Sequence, residues 1–591
     1  MPRRSGSPTL GTRGVTGCIS TVPFALLSTR GWGGRAVDEP HDLRGEIRDE
    51  YDVVVVGSGF GGAVTACRLA QAGRSVLVLE RGAAYPPGSF ARTPSEISDN
   101  FWDPSRSLYG LFDLWSFRSL DAIVASGLGG GSLIYANVTL EMPKEWFDDV
   151  ADRWPITYAD IAEHYPAVEQ MLGVRCVPQY LTPRMPKAAA FDAAAAGSGR
   201  PAEPAPVAVT FAPSWLAPGH PVGSRADNLH GVQRCSCTLC GKCDFGCNEG
   251  AKNTLDLTYL SRAAAAGAHI RTLREVVGIA AVPDGNDERY VVRFRTHTLP
   301  ERGASRGRRP RGVAPPTTEV RARTVVMGAG AFGTTRLLLA NKVSGLPRLS
   351  PALGTRFSGN GDAIGFTTGG TREVDSQRGP VITRILRDTD GGFLIEDGGY
   401  PSVLGWVGET LQFGLYFRGL LMLVQRLWQR LLHRERSDIS GGVSRVLGPM
   451  GVSRTTAPLL GMGMDPGSGT MRLARDGKWL DLTWSPRRPG TEEYFATVLQ
   501  AMRGVATGAG VRFRRGPSGL LSRGVTAHPL GGCPMGTSPA DGVVDGHGRA
   551  FGHPGLFVAD GSVMPTAVGA NPSMTIAALA ERCARHILAV R

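Results

Sequence analysis

Zinc-finger spacing, a recognition-helix array and any repeating aromatic-basic pattern are missing from this chain, and with them the usual means of reading a nucleic acid. Near the start no apolar run is long enough to span a membrane. Val22–Leu27 is far too short, and its distance from the N-terminal arginines makes a poor secretory signal. A cytoplasmic location is therefore favoured, with export left open. The 80 glycines follow no collagen-like period, which excludes a fibre and assigns them to turns around ligands. No acidic excess offsets the formal charge of +13, yet much of that charge sits in segments that read as poorly ordered, such as Arg302–Arg311, so it identifies no partner. Residues 1–49, a mixture of Arg, Gly, Ser, Thr and Pro, read as a disordered leader, and Glu301–Thr318 as a loop. A chain of 591 residues can nevertheless bury a large core and divide into more than one structural unit.

What is present begins at Tyr51. The stretch YDVVVVGSGFGGAVTACRLAQAGRSVLVLE over 51–80 places an apolar strand at Asp52–Val56 before Gly57, Gly59 and Gly62. A helix-like run follows, and a second strand at Ser75–Leu79 ends on Glu80. A turn without side chains lets a pyrophosphate approach helix-terminal N–H groups, and an acid at the end of the second strand is placed to accept ribose hydroxyls. Strand, turn, helix, strand and acid in this order predict a dinucleotide site.

Further glycine-rich pieces lie far downstream. SGLGGGS over 126–132 can bring several backbone donors to an anionic or extended ligand. TVVMGAGAFGTTRLLLA over 324–340 repeats strand, glycine turn and helix. GLFVADG over 555–561 is followed by GANP over 569–572 and by a helical pattern at Met574–Leu588. These pieces predict one nucleotide domain assembled from separated segments at 50–150, 235–345 and 520–591. A second domain then occupies 151–234 and 346–519. Within it, FGLYFRGLLMLVQRLWQRLL over 413–432 fits a helix in a membrane interface, the lining of a hydrophobic entrance, or a lid that simply packs.

Taken together, YDVVVVGSGFGGAV, ASGLGGGSLIYAN, GAKNTLDLTYL, HPLGGCPMG and VADGSVMPTAVGANPSMTIAALAE resemble the glucose–methanol–choline (GMC) flavin oxidoreductases, especially their bacterial cholesterol-oxidase-like branch. The resemblance runs from Tyr51 to Ile587 and is stronger in the cofactor pieces than in the substrate half. It implies an α/β fold: a discontinuous, Rossmann-like FAD-binding domain with an α+β substrate domain containing a largely antiparallel sheet. It also implies non-covalent FAD, which the glycine turn alone does not distinguish from NAD. On this resemblance Gly57, Gly59, Phe60, Gly61, Gly62 and Glu80 hold the ADP portion. Gly129, Gly130, Ser132 and Asn137 lie nearer the isoalloxazine, Val277 marks the adenine edge, and Asp560 and Gly561 make a second diphosphate or ribityl contact.

The same resemblance puts His528 and Asn571 beside the reactive edge of the flavin, where an alcohol loses its hydroxyl proton and its carbon transfers hydride. A neutral imidazole can accept or orient the hydroxyl, and an amide can donate to the developing oxyanion without competing as a base. As plain residues, His528 also fits a turn or cap histidine and Asn571 a turn before proline. Glu396, in FLIEDGG over 393–399, is a third candidate, for proton shifting in steroid isomerisation. An apolar pocket would raise its pKa; an exposed carboxylate at a turn is the competing expectation.

Five of the ten cysteines fall between Cys235 and Cys247. Cys237, Cys240, Cys243 and Cys247 have ferredoxin-like spacing compatible with a [4Fe–4S] cluster, although Asn248 replaces the proline that usually follows. Without Cys240 the remaining three resemble a [3Fe–4S] region. Four-thiolate zinc and disulfides are the other readings. The expected activity is FAD-dependent oxidation of a secondary alcohol, such as a 3β-hydroxysteroid, with oxygen or an electron-transfer protein as acceptor. A flavin and iron–sulfur alcohol dehydrogenase and a catalytically silent FAD-bound interaction protein are the alternatives. Peripheral membrane contact remains open, and no nucleic-acid partner is expected.

Overall fold

Two runs rich in valine and leucine, Glu50–Val56 and Val76–Leu79, form adjacent parallel strands with their closing residues Val53–Val56 and Val76–Leu79 buried. Continuous apolar strands of this kind suit a sheet covered on both faces. The computed structural model describes Leu43 and residues 45–227, 229–284, 287–299, 316–401, Val424, 452–477, 479–516 and 523–590. Its first sheet runs in the order His269–Arg271, Val76–Leu79, Glu50–Val56, Thr317–Met327, Asp287–Thr296 and Arg274–Asp284, and Leu556–Val558 pairs with the end of Thr317–Met327. Val56 stands between Leu79 and Met327 in parallel register, so the loops starting at Gly57, Glu80 and Gly328 leave the sheet at one edge. Chain direction diverges there, which is where open α/β sheets hold ligands.

The helix Phe60–Gln71 can sit this close to the sheet because residue 62 is glycine: a Cβ there would lie 2.1 Å from the Gly57 carbonyl oxygen. The terminal helix Ser573–Ala589 packs against it. Arg68 binds both oxygens of Glu581, with Nε–Oε2 at 2.7 Å, and the Tyr259 hydroxyl donates to the same carboxylate at 2.9 Å. The two ends of the described chain are thereby joined.

A second, antiparallel sheet runs Arg512–Arg515, Ala363–Thr368, Ala457–Gly463, Phe393–Asp397, Arg384–Asp388, Glu203–Pro204. The helix Thr491–Gly508 lays Val498, Met502 and Val505 onto it beside Leu386 and Ile395. Each such buried side chain contributes about 1.5–3 kcal/mol. A Rossmann-like sheet with an α+β partner is thus the observed architecture.

The segment boundaries are less clean than expected. Tyr165, inside the expected substrate segment 151–234, meets Thr575 of the terminal helix at 3.0 Å between hydroxyls. Gly45 and Glu46, inside the expected leader, accept hydrogen bonds from the Arg271 guanidinium at 2.8 and 2.9 Å. Thr317 and Thr318 already belong to a strand. Residues 1–42, 301–315 and, apart from Val424, the apolar segment 413–432 lie outside the described residues. Among the described residues no helix is long and apolar enough to cross a membrane.

Candidate functional site

A cavity of about 870 Å³ opens where the parallel strands end. Three helices point their N-termini at it, through Phe60 and Gly61, through Gly330 and Ala331, and through Pro572 and Ser573. None of the three has a side-chain cap or an acidic residue in its first turn. Apart from the Gly330 N–H, which Asp560 takes, their first-turn N–H groups and dipoles face an anionic or electron-rich ligand.

Gly57, Gly59, Phe60, Gly61, Glu80, Gly130, Asp560 and Gly561 all line the cavity. Gly57 has φ +93°, and a Cβ there would meet the Gly328 carbonyl oxygen at 2.5 Å; one on Gly130 would meet Gly59 Cα at 2.7 Å. The cradle is therefore backbone against backbone. Glu80 accepts from the Ser58 hydroxyl at 2.6 Å and the Gly82 N–H at 2.8 Å. Asp560 accepts from Gly330 N–H at 2.9 Å, Thr334 hydroxyl at 2.5 Å and Ser562 N–H at 2.9 Å, tying the second glycine loop to the terminal segment.

Other expected residues stand one layer away. Gly62 packs helix on strand. Gly129 adopts φ +105°, and the Ser132 hydroxyl donates to its carbonyl at 2.7 Å while accepting from Leu255 N–H at 3.0 Å. Asn137 lies between the lining residues Ala136 and Val138, and both polar atoms of its buried amide lack a partner in the protein. Beside the expected adenine-edge residue Val277, Val276 lines the cavity, while Val277 sits in the bulge where the register slips between Val276 and Gly278.

His528 and Asn571 line the same cavity, 43 positions apart in sequence and on different loops. The His528 Nδ1 lies 2.8 and 3.0 Å from the two oxygens of Asp362, a residue absent from every sequence motif considered above. A carboxylate only accepts, so Nδ1 carries the proton and Nε2 is left as an acceptor. Asn571 is buried, and its Oδ1 has no partner in the protein.

Glu396 is fully buried on the strand Phe393–Asp397, which overturns the exposed-turn expectation. Both of its carboxyl oxygens lack a hydrogen-bond partner in the protein, and it is not one of the lining residues. Burial, then the neighbouring Asp397 charge, push its carboxyl well above the ordinary value against the lowering contact with Asn571. Asp244, also missed in the sequence, lines the cavity from within the cysteine run, and burial pushes its carboxyl to about 6.

The expectation of a cluster at Cys237, Cys240, Cys243 and Cys247 is not met: among the described residues no group of three or more His, Cys, Asp or Glu side chains is arranged to hold a metal. Cys240 is exposed and its backbone bridges Gly379, while Cys235 is disulfide-bonded. Burial pushes the Cys243 thiol to about 11 and raises Cys237 as well.

A family model described as GMC oxidoreductase matches residues 518–580, and one described as FAD dependent oxidoreductase matches 52–191. Over 553 residues the chain is 32% identical to a cholesterol oxidase of Mycobacterium tuberculosis, covering 91% of each chain. It is 31% identical over 562 residues to a cholesterol oxidase of Acinetobacter baumannii, covering 91% of this chain and 94% of that one. The crystal structure of pyridoxine 4-oxidase from Mesorbium loti covers 92% of this chain and 100% of its own with a TM-score of 0.56 and 17% identity, a likeness of fold alone. The glycine cradle, the open helix termini and the orphaned Asn137 amide fit a flavin dinucleotide, and this chain belongs to the GMC oxidoreductase family as an FAD-dependent oxidoreductase acting on CH–OH groups.

Proposed function

We propose that this chain oxidises a secondary alcohol on a bulky hydrophobic body, a 3β-hydroxysteroid being the leading class, to the ketone. One observation carries the reading: the cavity that begins at the glycine cradle continues past His528 and Asn571 into a wall built from Ile364, Phe366, Val381, Ile382, Leu459 and Leu460. Such a wall favours an apolar body and excludes water from the reacting carbon. FAD, held by the glycine cradle around Gly57, Gly59 and Gly130, would supply the two-electron acceptor for the hydride. His528 Nε2 receives the hydroxyl proton, while the Asn571 amide donates to the oxygen as the carbonyl forms. The cholesterol oxidases among its relatives support a hydrophobic alcohol as substrate and oxygen as acceptor.

Anaerobic titration of the purified protein with 3β-hydroxysteroids, long-chain alcohols, small alcohols and sugars tests this, followed by peroxide assay in air and iron analysis. The steroids are expected to bleach the flavin fastest, with one peroxide per ketone and sub-stoichiometric iron. FAD-loaded protein that no alcohol reduces would sink the reading and favour the silent interaction protein.

Glu396 is assigned to proton storage next to Asn571 rather than to direct contact with substrate. Its folded pKa is raised, so the folded state holds the proton more tightly than the unfolded chain. That preference is fully present below the unfolded value of about 4.3 and is lost as pH climbs toward the folded one. Glu396→Gln does not titrate, so its melting temperature should exceed the wild-type value by a margin that widens from pH 4 to 7, with flavin reduction retained. Differential scanning calorimetry across that range checks the sign.

A further inference from the structure

Three residues of one loop, Asn360, Gly361 and Asp362, enter the strand Ala363–Thr368 and reach both arms of the proposed catalytic pair. On one side Asp362, 5% exposed, receives the His528 Nδ1–H as described. Its Oδ2 also accepts from the Thr526 hydroxyl and the Ala527 N–H, each at 2.9 Å. On the other side Asn360, fully buried, accepts from Val568 N–H at 3.0 Å and Gly569 N–H at 3.1 Å and donates to the Ala570 carbonyl at 2.8 Å. That satisfied amide holds the backbone of the three residues leading to Asn571.

The loop itself has little freedom. Asn360 and Gly361 adopt φ +53° and +67°, and a Cβ on Gly361 would lie 2.3 Å from the Tyr494 hydroxyl oxygen. Tyr494 donates to the Gly361 carbonyl at 2.9 Å and Gly463 N–H to the Asn360 carbonyl at 3.1 Å. Ser358 and Leu530 exchange backbone hydrogen bonds at 2.9 and 3.1 Å, so the run toward Asp362 lies alongside the run that carries His528.

We propose that Asn360–Asp362 is a two-armed clamp that positions the catalytic pair: Asp362 holds His528 in its Nδ1–H tautomer, and Asn360 fixes the turn that presents Asn571. The proposal rests on the roles given above to His528 and Asn571. One rigid loop then sets the separation of imidazole and amide, the quantity to which hydride transfer from a bound alcohol is most sensitive. Both are positioning residues, acting through their partners.

Asp362→Asn keeps the shape but turns an NH2 group either toward His528, moving its proton to Nε2, or toward the Ala527 N–H. In the FAD-loaded enzyme, with cholesterol in detergent as reductant and dodecan-2-ol where cholesterol gives no turnover, this variant is expected to reduce flavin about 10²-fold more slowly. KM should stay within about twofold, as Asp362 makes no substrate contact. Asn360→Ala should slow reduction about tenfold. Each loss should vanish in the partner's background: Asp362→Asn adds nothing to His528→Ala, and Asn360→Ala adds nothing to Asn571→Ala. Two-bond 1H–15N spectra of histidine-labelled protein, assigned with His528→Gln, should place the His528 proton on Nδ1 in the wild type and displace it in Asp362→Asn.

An unchanged tautomer with unchanged reduction in Asp362→Asn overturns the clamp, as does a loss that simply adds to that of His528→Ala. If His528→Ala itself reduces at the wild-type rate, the catalytic reading fails instead, whatever Asp362→Asn does. FAD content and melting temperature of each variant separate these outcomes from misfolding, and the tautomer spectrum needs no substrate.

Discussion

Replacing His528 by alanine is expected to lower the rate of anaerobic flavin reduction about 10²- to 10⁴-fold while FAD stays bound. Among the described residues that line the cavity, the imidazole has its Nδ1 2.8 Å from the Asp362 carboxylate, which turns Nε2 to the proton-accepting role. Its removal does not strand Asp362, because the Thr526 hydroxyl and Ala527 N–H still donate to that carboxylate. The fold should therefore survive the substitution, and the loss should appear in the rate rather than in stability. Stopped-flow absorbance of the flavin, with its content per chain measured in the same sample, reads both quantities. A variant that reduces as fast as wild type removes His528 from the chemistry.

The second large effect is expected at Gly57→Ala, which should leave a colourless protein with a lowered melting temperature. Gly57 adopts φ +93°, a left-handed conformation that strains any other residue by about 1–3 kcal/mol. Its new Cβ would also sit 2.5, 2.8 and 2.9 Å from the Gly328 oxygen, the Gly328 carbonyl carbon and Ala329 Cα, adding about 1–3 kcal/mol of overpacking. These are backbone atoms and cannot rotate aside, so relief requires parting the two glycine loops that form the pyrophosphate cradle. Gly59→Ala is the internal control. Its Cβ would lie 3.7 Å from its nearest protein neighbour, the Gly328 oxygen, so any effect there arises from crowding FAD alone. Normal FAD stoichiometry and an unchanged melting temperature in Gly57→Ala would show that the loops separate freely.

Residues that line the cavity from glycine-rich turns were legible in the sequence. Gly57, Gly59, Gly61, Asp560 and Gly561 occupy strand-to-helix turns whose geometry is encoded within a few positions, and all line the cavity. The β-bulge that turns Val276 rather than Val277 to the cavity wall has no trace in local composition. Glu396 read equally well as a turn residue, and its burial follows from a strand flanked by both Ala457–Gly463 and Arg384–Asp388. The cysteine run shows the opposite failure. Ferredoxin-like spacing is a local property, but ligation needs the sulfurs to converge, and the loop exposes Cys240 and brings no such group together among the described residues.

By itself the sequence determined a dinucleotide cradle built from separated pieces, because strand, glycine turn and helix are set by the backbone preferences of neighbouring residues. Only the tertiary structure decided what the cradle faces. Asp362 and His528 are 166 positions apart and Asn360 and Ala570 are 210 apart. Neither pair has a local pattern to reveal it: a hydrogen bond depends on where two chain segments meet, and that is settled by the packing of one sheet against the other.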